Sequence, residues 1–294
     1  MIWLIGNKGM LGSDLEQGLK EKDIPYTASD VEVDITDIDN LRKFALKKEI
    51  TWIVNCSAYT AVDKAEDEQA LAFKINADGV LNIAKIASEK NAKLIHISTD
   101  YIFDGEKEGE YFEIDEPNPM GIYGMSKLKG EKNIIQTIQK YFIIRIAWLF
   151  GKNGNNFAFT MLNLFKERDE LRVVSDQWGT PTFTKDLVDL LLKIIDDNSD
   201  NYGIYHFTNI GRTNWYNFAY EIYKTAKKYK LIEKDIVISP INTEDFPTKA
   251  KRPKNSLLSK EKTINTFGIK IQSWEEAVDD FILNLSATYK RASK

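Results

Sequence analysis

The first half of the chain repeats one unit: a short apolar run, a break, and then a helical pattern. The runs fall at 2–5, 25–29, 52–55, 93–98 and 141–146. Helical stretches lie between them at 10–20, 37–48, 70–90 and 123–139, with Asp37 as a candidate cap. Near-continuous apolar strands separated by helices predict a parallel sheet covered on both faces, a doubly wound α/β fold.

The second half is less regular. It reads as a helix over 156–168, a strand over 171–174, a helix over 186–195 capped by Thr184, a strand over 202–207 and a helix over 215–229. A polar stretch at 243–256, with Pro247 and Pro253, leads to a last helix at 274–285. No linker or repeat interrupts the chain. Two lobes are expected: a Rossmann-type dinucleotide-binding domain at 1–150 and a smaller C-terminal substrate-binding lobe at 151–294, with about 171–197 returning to the first.

Composition narrows the partners. The 294 residues are 43% hydrophobic and 29% charged, ordinary values for a globular protein. Forty basic and 44 acidic residues are well mixed, so no basic stripe invites nucleic acid. A single cysteine, Cys56, allows no intramolecular disulfide and fits a reducing, cytoplasmic setting. MIWLIGNKGMLG reads as no signal peptide, and no run approaches the roughly 20 apolar residues of a membrane span.

Gly6, Gly9 and Gly12 form G-x-x-G-x-x-G between the first strand and the first helix. Glycines there allow a tight turn and close approach of a pyrophosphate to unpaired N–H groups at the helix start. The same pattern also occurs in turns that bind nothing; its place at a strand–helix junction favours a dinucleotide. Asp30, at the end of the second strand, suits an adenosine ribose and repels a 2′-phosphate, or is simply a solvated carboxylate. No Lys or Arg lies between Pro25 and Leu41 to hold such a phosphate, so NADH is at least acceptable.

Tyr123 and Lys127 are four apart and share a helix face. A nearby ammonium favours the phenolate, which suits a tyrosine that must protonate an alkoxide. Alone the pair is weak. Ser98-Thr99-Asp100 follows the fourth strand, at the sheet end where such folds bind ligands, although it also fits a plain turn. The ordered set of glycine loop, strand-end hydroxyl and Tyr-x-x-x-Lys points to carbonyl reduction.

These motifs, with NCSAYTAVDKAE at 55–66, STDYIFDG at 98–105, PMGIYGMSKLKGE at 119–131, RIAWLFGKNGNNF at 145–157, DQWGTPT at 176–182 and KRPKNS at 251–256, run over nearly the whole chain. The sequence resembles the extended short-chain dehydrogenases, and within them the dTDP-4-dehydrorhamnose reductases. That resemblance implies reduction of dTDP-4-dehydro-L-rhamnose to dTDP-L-rhamnose with NADPH or NADH. It makes Tyr123 the proton donor, Lys127 its partner, and Thr99 a residue that tunes the tyrosine and touches the sugar. Met10, Leu11, Asp30, Asp34, Ile35, Ala58, Tyr59 and Thr60 match cofactor-lining positions, and Asn76 matches one that supports the catalytic helix and a water relay. Asp100, Trp148, Asn155, Asn156 and Arg252 fall on the substrate side, where packing and helix capping also account for Trp148 and Asn156.

The chain also departs from its relatives. Arg145-Ile146-Ala147-Trp148 stands where hydroxyls often flank the sugar. Some members dimerise through Mg²⁺; Asp14 fits one ligand position, but Lys185 stands where an acid is expected, so no metal site is predicted. His96 and His206 are too few for zinc. A homodimer stays open. So do two other functions: another nucleotide-sugar reductase or epimerase, and a non-catalytic NAD(P)-binding regulatory subunit.

Overall fold

The computed structural model describes residues 1–292. Every apolar run of the first half becomes a strand. In chain order come β1 (Ile2–Ile5), α1 (Met10–Glu21), β2 (Tyr26–Ser29), α2 (Ile38–Ala45), β3 (Trp52–Asn55), the one-turn α3 (Val62–Ala65), α4 (Gln69–Phe73), α5 (Val80–Glu89), β4 (Lys93–Thr99), α6 (Ile122–Thr137) and β5 (Tyr141–Ile146). The rest of the chain adds β6 (Leu149–Phe150), α7 (Phe157–Glu167), β7 (Glu170–Val174), β8 (Trp178–Gly179), β9 (Thr182–Phe183), α8 (Thr184–Asp196), β10 (Gly203–Phe207), β11 (Thr213–Asn214), α9 (Trp215–Lys228), β12 (Val237–Ile241), α10 (Glu261–Phe267) and α11 (Trp274–Ala292).

Six strands form one parallel sheet in the order β10-β5-β4-β3-β1-β2. The chain reverses its winding between β1 and β3, and a crevice opens at the carboxyl ends of those strands. Helices cover both faces. Leu15 and Leu19 of α1, Leu187 and Leu191 of α8, and Phe267 of α10 pack on one face. Leu41 of α2, Val80 and Ile83 of α5, and Ile134 of α6 pack on the other. Each such side chain contributes about 1.5–3 kcal/mol when fully buried. A separate cluster, built on Phe150, Phe165, Phe218 and Phe281, fills the space between α7, α9 and α11. Among the described residues no helix is long and apolar enough to cross a membrane.

Two local readings need correction, and two elements were not expected. The helix expected over 70–90 is divided: α4 passes into a π-helical stretch, Lys74–Gly79, before α5. The wide turn lets Asn76 grip the backbone of Tyr59 at both its N–H (2.9 Å) and its carbonyl (3.0 Å). Thr184 does not cap the helix after it: it is the first residue of α8, and its hydroxyl donates to Asp14 at 2.5 Å. β12 escapes a pattern search because Pro240 interrupts it; it pairs with β7 outside the main sheet, where proline is tolerated. α10 has only seven residues, too few to show a period, and ends at Gly268 with φ +60°.

Candidate active site

The glycine turn is shaped by close approach. Gly6 has φ +79°, and a Cβ there would lie 2.8 Å from the Ser57 amide nitrogen. At Gly12 a Cβ would lie 2.0 Å from the Gly6 carbonyl oxygen. Neither position admits another residue without moving the loop. Gly9 precedes α1 in an extended conformation, so the first N–H groups of that helix face the crevice. A cleft of about 470 Å³ opens beside it, lined by Gly6, Lys8, Gly9, Asp30, Val31, Val33, Asp34, Ile35, Thr36, Cys56, Ser57 and Ala58. Its volume suits one half of a dinucleotide.

Other predicted cofactor positions lie around this cleft. Met10 opens α1 beside Asn156, whose amide is 4.0 Å from the Met10 sulfur. Leu11 sends its side chain into the core, leaving only its backbone on the cleft side. Thr36 donates to Asp34 from backbone and hydroxyl, both at 2.8 Å, and holds that carboxyl below its usual range. The Tyr59 hydroxyl donates to Glu68 at 2.7 Å, and that bond pushes it up to about 12. Thr60 is exposed. Asp30 accepts the Lys8 amide at 3.0 Å, and the Lys8 ammonium reaches Glu32 at 3.3 Å. The second strand indeed lacks a nearby cation in sequence, yet the fold returns one from the glycine turn.

Two elements bring the candidate catalytic residues together. Tyr123 and Lys127 project from one face of α6, and Thr99 ends β4. The Tyr123 hydroxyl is enclosed beside Thr99, whose own hydroxyl donates to Asp100. Burial raises the phenol well above its ordinary value, against the smaller lowering by Thr99. The expected help from Lys127 does not act here, its Nζ being turned to the Ile97 carbonyl, and Tyr123 stays protonated through neutral pH. Lys127 donates to the Ile97 carbonyl at 2.7 Å, and burial brings it down to about 8. It also lies close enough to Cys56, on the cleft wall, for the two to influence each other's charge; burial pushes that thiol up to about 12.

Asp100 adjoins this group. Thr99 donates to its Oδ1 at 2.9 Å; Ser256 approaches without completing a bond to Oδ2. Burial raises Asp100 to about 6. Tyr101 sets its ring edge-on to Tyr123, with centroids 5.5 Å apart. Arg252 donates to the Tyr101 hydroxyl at 3.1 Å and pairs with Asp63 at 2.6 Å, so the 243–256 segment is tied to α3 beside the site. Trp148 has φ +50° and stacks on Trp215 at 3.8 Å. Asn156 caps α7, accepting from Phe159 at 3.1 Å and donating to Gly151 at 2.9 Å, whereas Asn155 beside it is exposed.

Some of the support was invisible in the sequence. Glu66 accepts the Ile122 amide at 2.9 Å and so holds the N-terminus of α6 from outside. Asn76 donates to Ser126 at 3.0 Å, and a Cβ on Gly130 would sit 2.2 Å from the Asn76 carbonyl oxygen. The π-helical turn and α6 are thus locked together. Arg145 and Glu131 form a buried ion pair at 2.7 Å, and Ser98 donates to the same carboxylate at 2.5 Å. On the face of the sheet covered by α1 and α8, Asp14 accepts from Thr184 and Asn153 and lies 3.6 Å from Lys152, in a cleft that also contains Lys185.

Fold and site together define the class: an extended short-chain dehydrogenase/reductase. The chain belongs to the family described as the RmlD substrate binding domain, whose model matches residues 1–287. It is 42% identical over 251 residues to a dTDP-4-dehydrorhamnose reductase of Aggregatibacter actinomycetemcomitans, covering 84% of this chain and 85% of that one. The crystal structure of the Clostridium acetobutylicum dTDP-4-dehydrorhamnose reductase superposes with a TM-score of 0.91 at 43% identity, over 97% of this chain and 99% of that one. The Bacillus anthracis reductase, solved in complex with NADP, superposes at 0.90 with 38% identity, over 96% and 98%.

Proposed function

We propose that this protein reduces dTDP-4-dehydro-L-rhamnose to dTDP-L-rhamnose with NADPH or NADH. The observation that carries the reading is the meeting of Thr99, Tyr123 and Lys127 next to a glycine-cradled cleft, in a chain whose relatives bear that enzyme's name. The cleft fits the cofactor: Gly6 and Gly12 allow a turn too tight for any Cβ, and α1 presents its N-terminus there.

When bound, the reduced nicotinamide supplies hydride to the ketone carbon. Tyr123 gives its phenolic proton to the oxygen, and Thr99 holds both groups in line. Because burial keeps Tyr123 protonated, the acid is loaded before the substrate arrives. Lys127, one helical turn away, holds the cofactor ribose and supplies positive charge as the phenolate forms. Asn76 stabilises α6 and its water relay. Gly9, Met10, Leu11 and Gly12 offer backbone to the pyrophosphate; Asp30, Asp34 and Ile35 face the adenosine side; Ala58, Tyr59 and Thr60 flank the nicotinamide half. Asp100, Trp148, Asn155, Asn156 and Arg252 are assigned to the nucleotide-sugar.

We place the reaction in the cytoplasm, where a lone thiol such as Cys56 stays reduced. With Lys152 and Lys185 beside Asp14, any homodimer would form without a Mg²⁺ bridge and be indifferent to EDTA. The test of function is a coupled mass balance: purified protein, cofactor and ketosugar should yield dTDP-L-rhamnose and one oxidised cofactor per sugar. Sugar interconversion without net cofactor oxidation would make it an epimerase; no conversion, with retention by a partner enzyme, would make it a binding subunit.

A further inference from the structure

His96 has no part in the chemistry above, yet it is fully buried within reach of Lys127. It lies in β4, directly across from Asn55 at the end of β3. The Asn55 carbonyl oxygen accepts two hydrogen bonds, from the Ser57 amide at 3.0 Å and the Ser57 hydroxyl at 2.6 Å. A backbone N–H can only donate, so the orientation of the Asn55 amide is settled. Its NH₂ therefore faces His96 Nδ1, at 3.0 Å. Nδ1 must accept, and a neutral ring then carries its proton on Nε2. Burial, with the Lys127 charge, keeps His96 neutral by holding it well below its usual value.

That N–H points at Lys127, whose Nζ is 3.5 Å from Nε2. The separation is at the outer limit for a hydrogen bond, as expected where two donors face each other. An ammonium there has one partner, the Ile97 carbonyl, and opposes a second N–H. An amine can turn its lone pair toward Nε2–H and keep both contacts. We infer that Asn55 and His96 are positioning residues for Lys127: they fix an imidazole N–H against it and so destabilise its ammonium relative to the amine without discharging it at neutral pH.

The other groups facing Lys127 do not replace this effect. Glu131, one turn along α6, favours the ammonium, but its carboxylate is occupied by Arg145 and Ser98. Cys56, across the cleft wall, is held as the neutral thiol. Tyr123, one turn back, is a neutral phenol. His96 is the neighbour whose hydrogen position depends on a second residue. The inference rests on the proposed reductase reading for its purpose, and its test does not.

Two histidines are present, so ¹⁵N-labelled His96 can be assigned by comparison with His206→Gln. Long-range ¹H–¹⁵N correlation should show His96 neutral and protonated on Nε2 from about pH 5 to 9. Labelled Lys127 should titrate near 8. Asn55→Leu removes the amide that fixes the tautomer. His96 should then move its proton to Nδ1 and accept from the ammonium, raising the Lys127 midpoint by roughly one unit. Should that variant not fold, His96→Phe offers no N–H and should also raise the midpoint. A wild-type proton on Nδ1, or a Lys127 midpoint unmoved by either variant, overturns the inference. Neither readout needs turnover, so an inactive protein would refute the function without touching this result.

Discussion

At the scale of single residues, the glycine turn and its lysine make separable predictions. Gly12→Ala places a methyl group 2.0 Å from the Gly6 oxygen, closer than any relaxation of α1 can absorb cheaply. It should destabilise the protein by about 1–3 kcal/mol and weaken cofactor binding at least tenfold, read by urea unfolding and cofactor fluorescence. Lys8 pairs with Glu32 on the rim of the cleft, beside Asp30. A 2′-phosphate arriving there would meet an ammonium as well as two carboxylates. Lys8→Ala should therefore raise KM for NADPH roughly tenfold more than for NADH, the scale of one charge-assisted hydrogen bond. Equal changes for both cofactors would remove Lys8 from that role.

At the scale of elements, α6 is fastened at three points: Glu66 at its start, Asn76 against Gly130, and the Glu131–Arg145 pair toward its end. The pair is almost wholly buried, so breaking one half strands a charge. Arg145→Met should cost about 3–5 kcal/mol, and adding Glu131→Leu should restore most of it; additive losses in chemical denaturation would contradict a coupled pair. These fastenings also show why the sequence was only partly legible. The strands of the main sheet are local signals, apolar runs bounded by breaks, and each formed within a residue or two of its expected place. Tyr123, Lys127, Thr99 and the glycines were legible because each motif is short. Glu66, Lys8 and the partners of Asn76 were not, because their meaning lies in contacts between distant segments; Glu66 and Ile122 are 56 residues apart. The π-helical turn at Lys74–Gly79 is hidden for the same reason: periodicity favours an unbroken helix until Tyr59 and Gly130 are set against it.

At the scale of the whole molecule, the site is a place where stability yields to chemistry. Lys127 falls from 10.5 to about 8 on burial, so its ammonium costs stability below pH 8. Between about 8 and 10.5 the unfolded chain binds a proton that the folded one does not, and stability from this group rises with pH. Asp100 is raised from 3.8 to about 6, so between those values the folded chain holds the extra proton and stability falls as pH rises. Both groups are therefore charged and costly between about pH 6 and 8, the working range. Lys127→Met should be more stable than wild type by roughly 1–2 kcal/mol at pH 7, with the gap closing above about pH 10, while turnover is lost. A variant less stable at pH 7 would place Lys127 among structural residues.

Tyr123 is proposed as the proton donor of a cofactor-dependent ketosugar reduction. The most direct test of that role is stopped-flow oxidation of NADPH with dTDP-4-dehydro-L-rhamnose, comparing wild type with Tyr123→Phe after cofactor affinity has been measured for both. The cofactor Kd should be unchanged and kcat should fall by a factor on the order of 10²–10⁴, the share of general acid catalysis. Turnover by Tyr123→Phe at the wild-type rate, with the same cofactor affinity, would contradict that role.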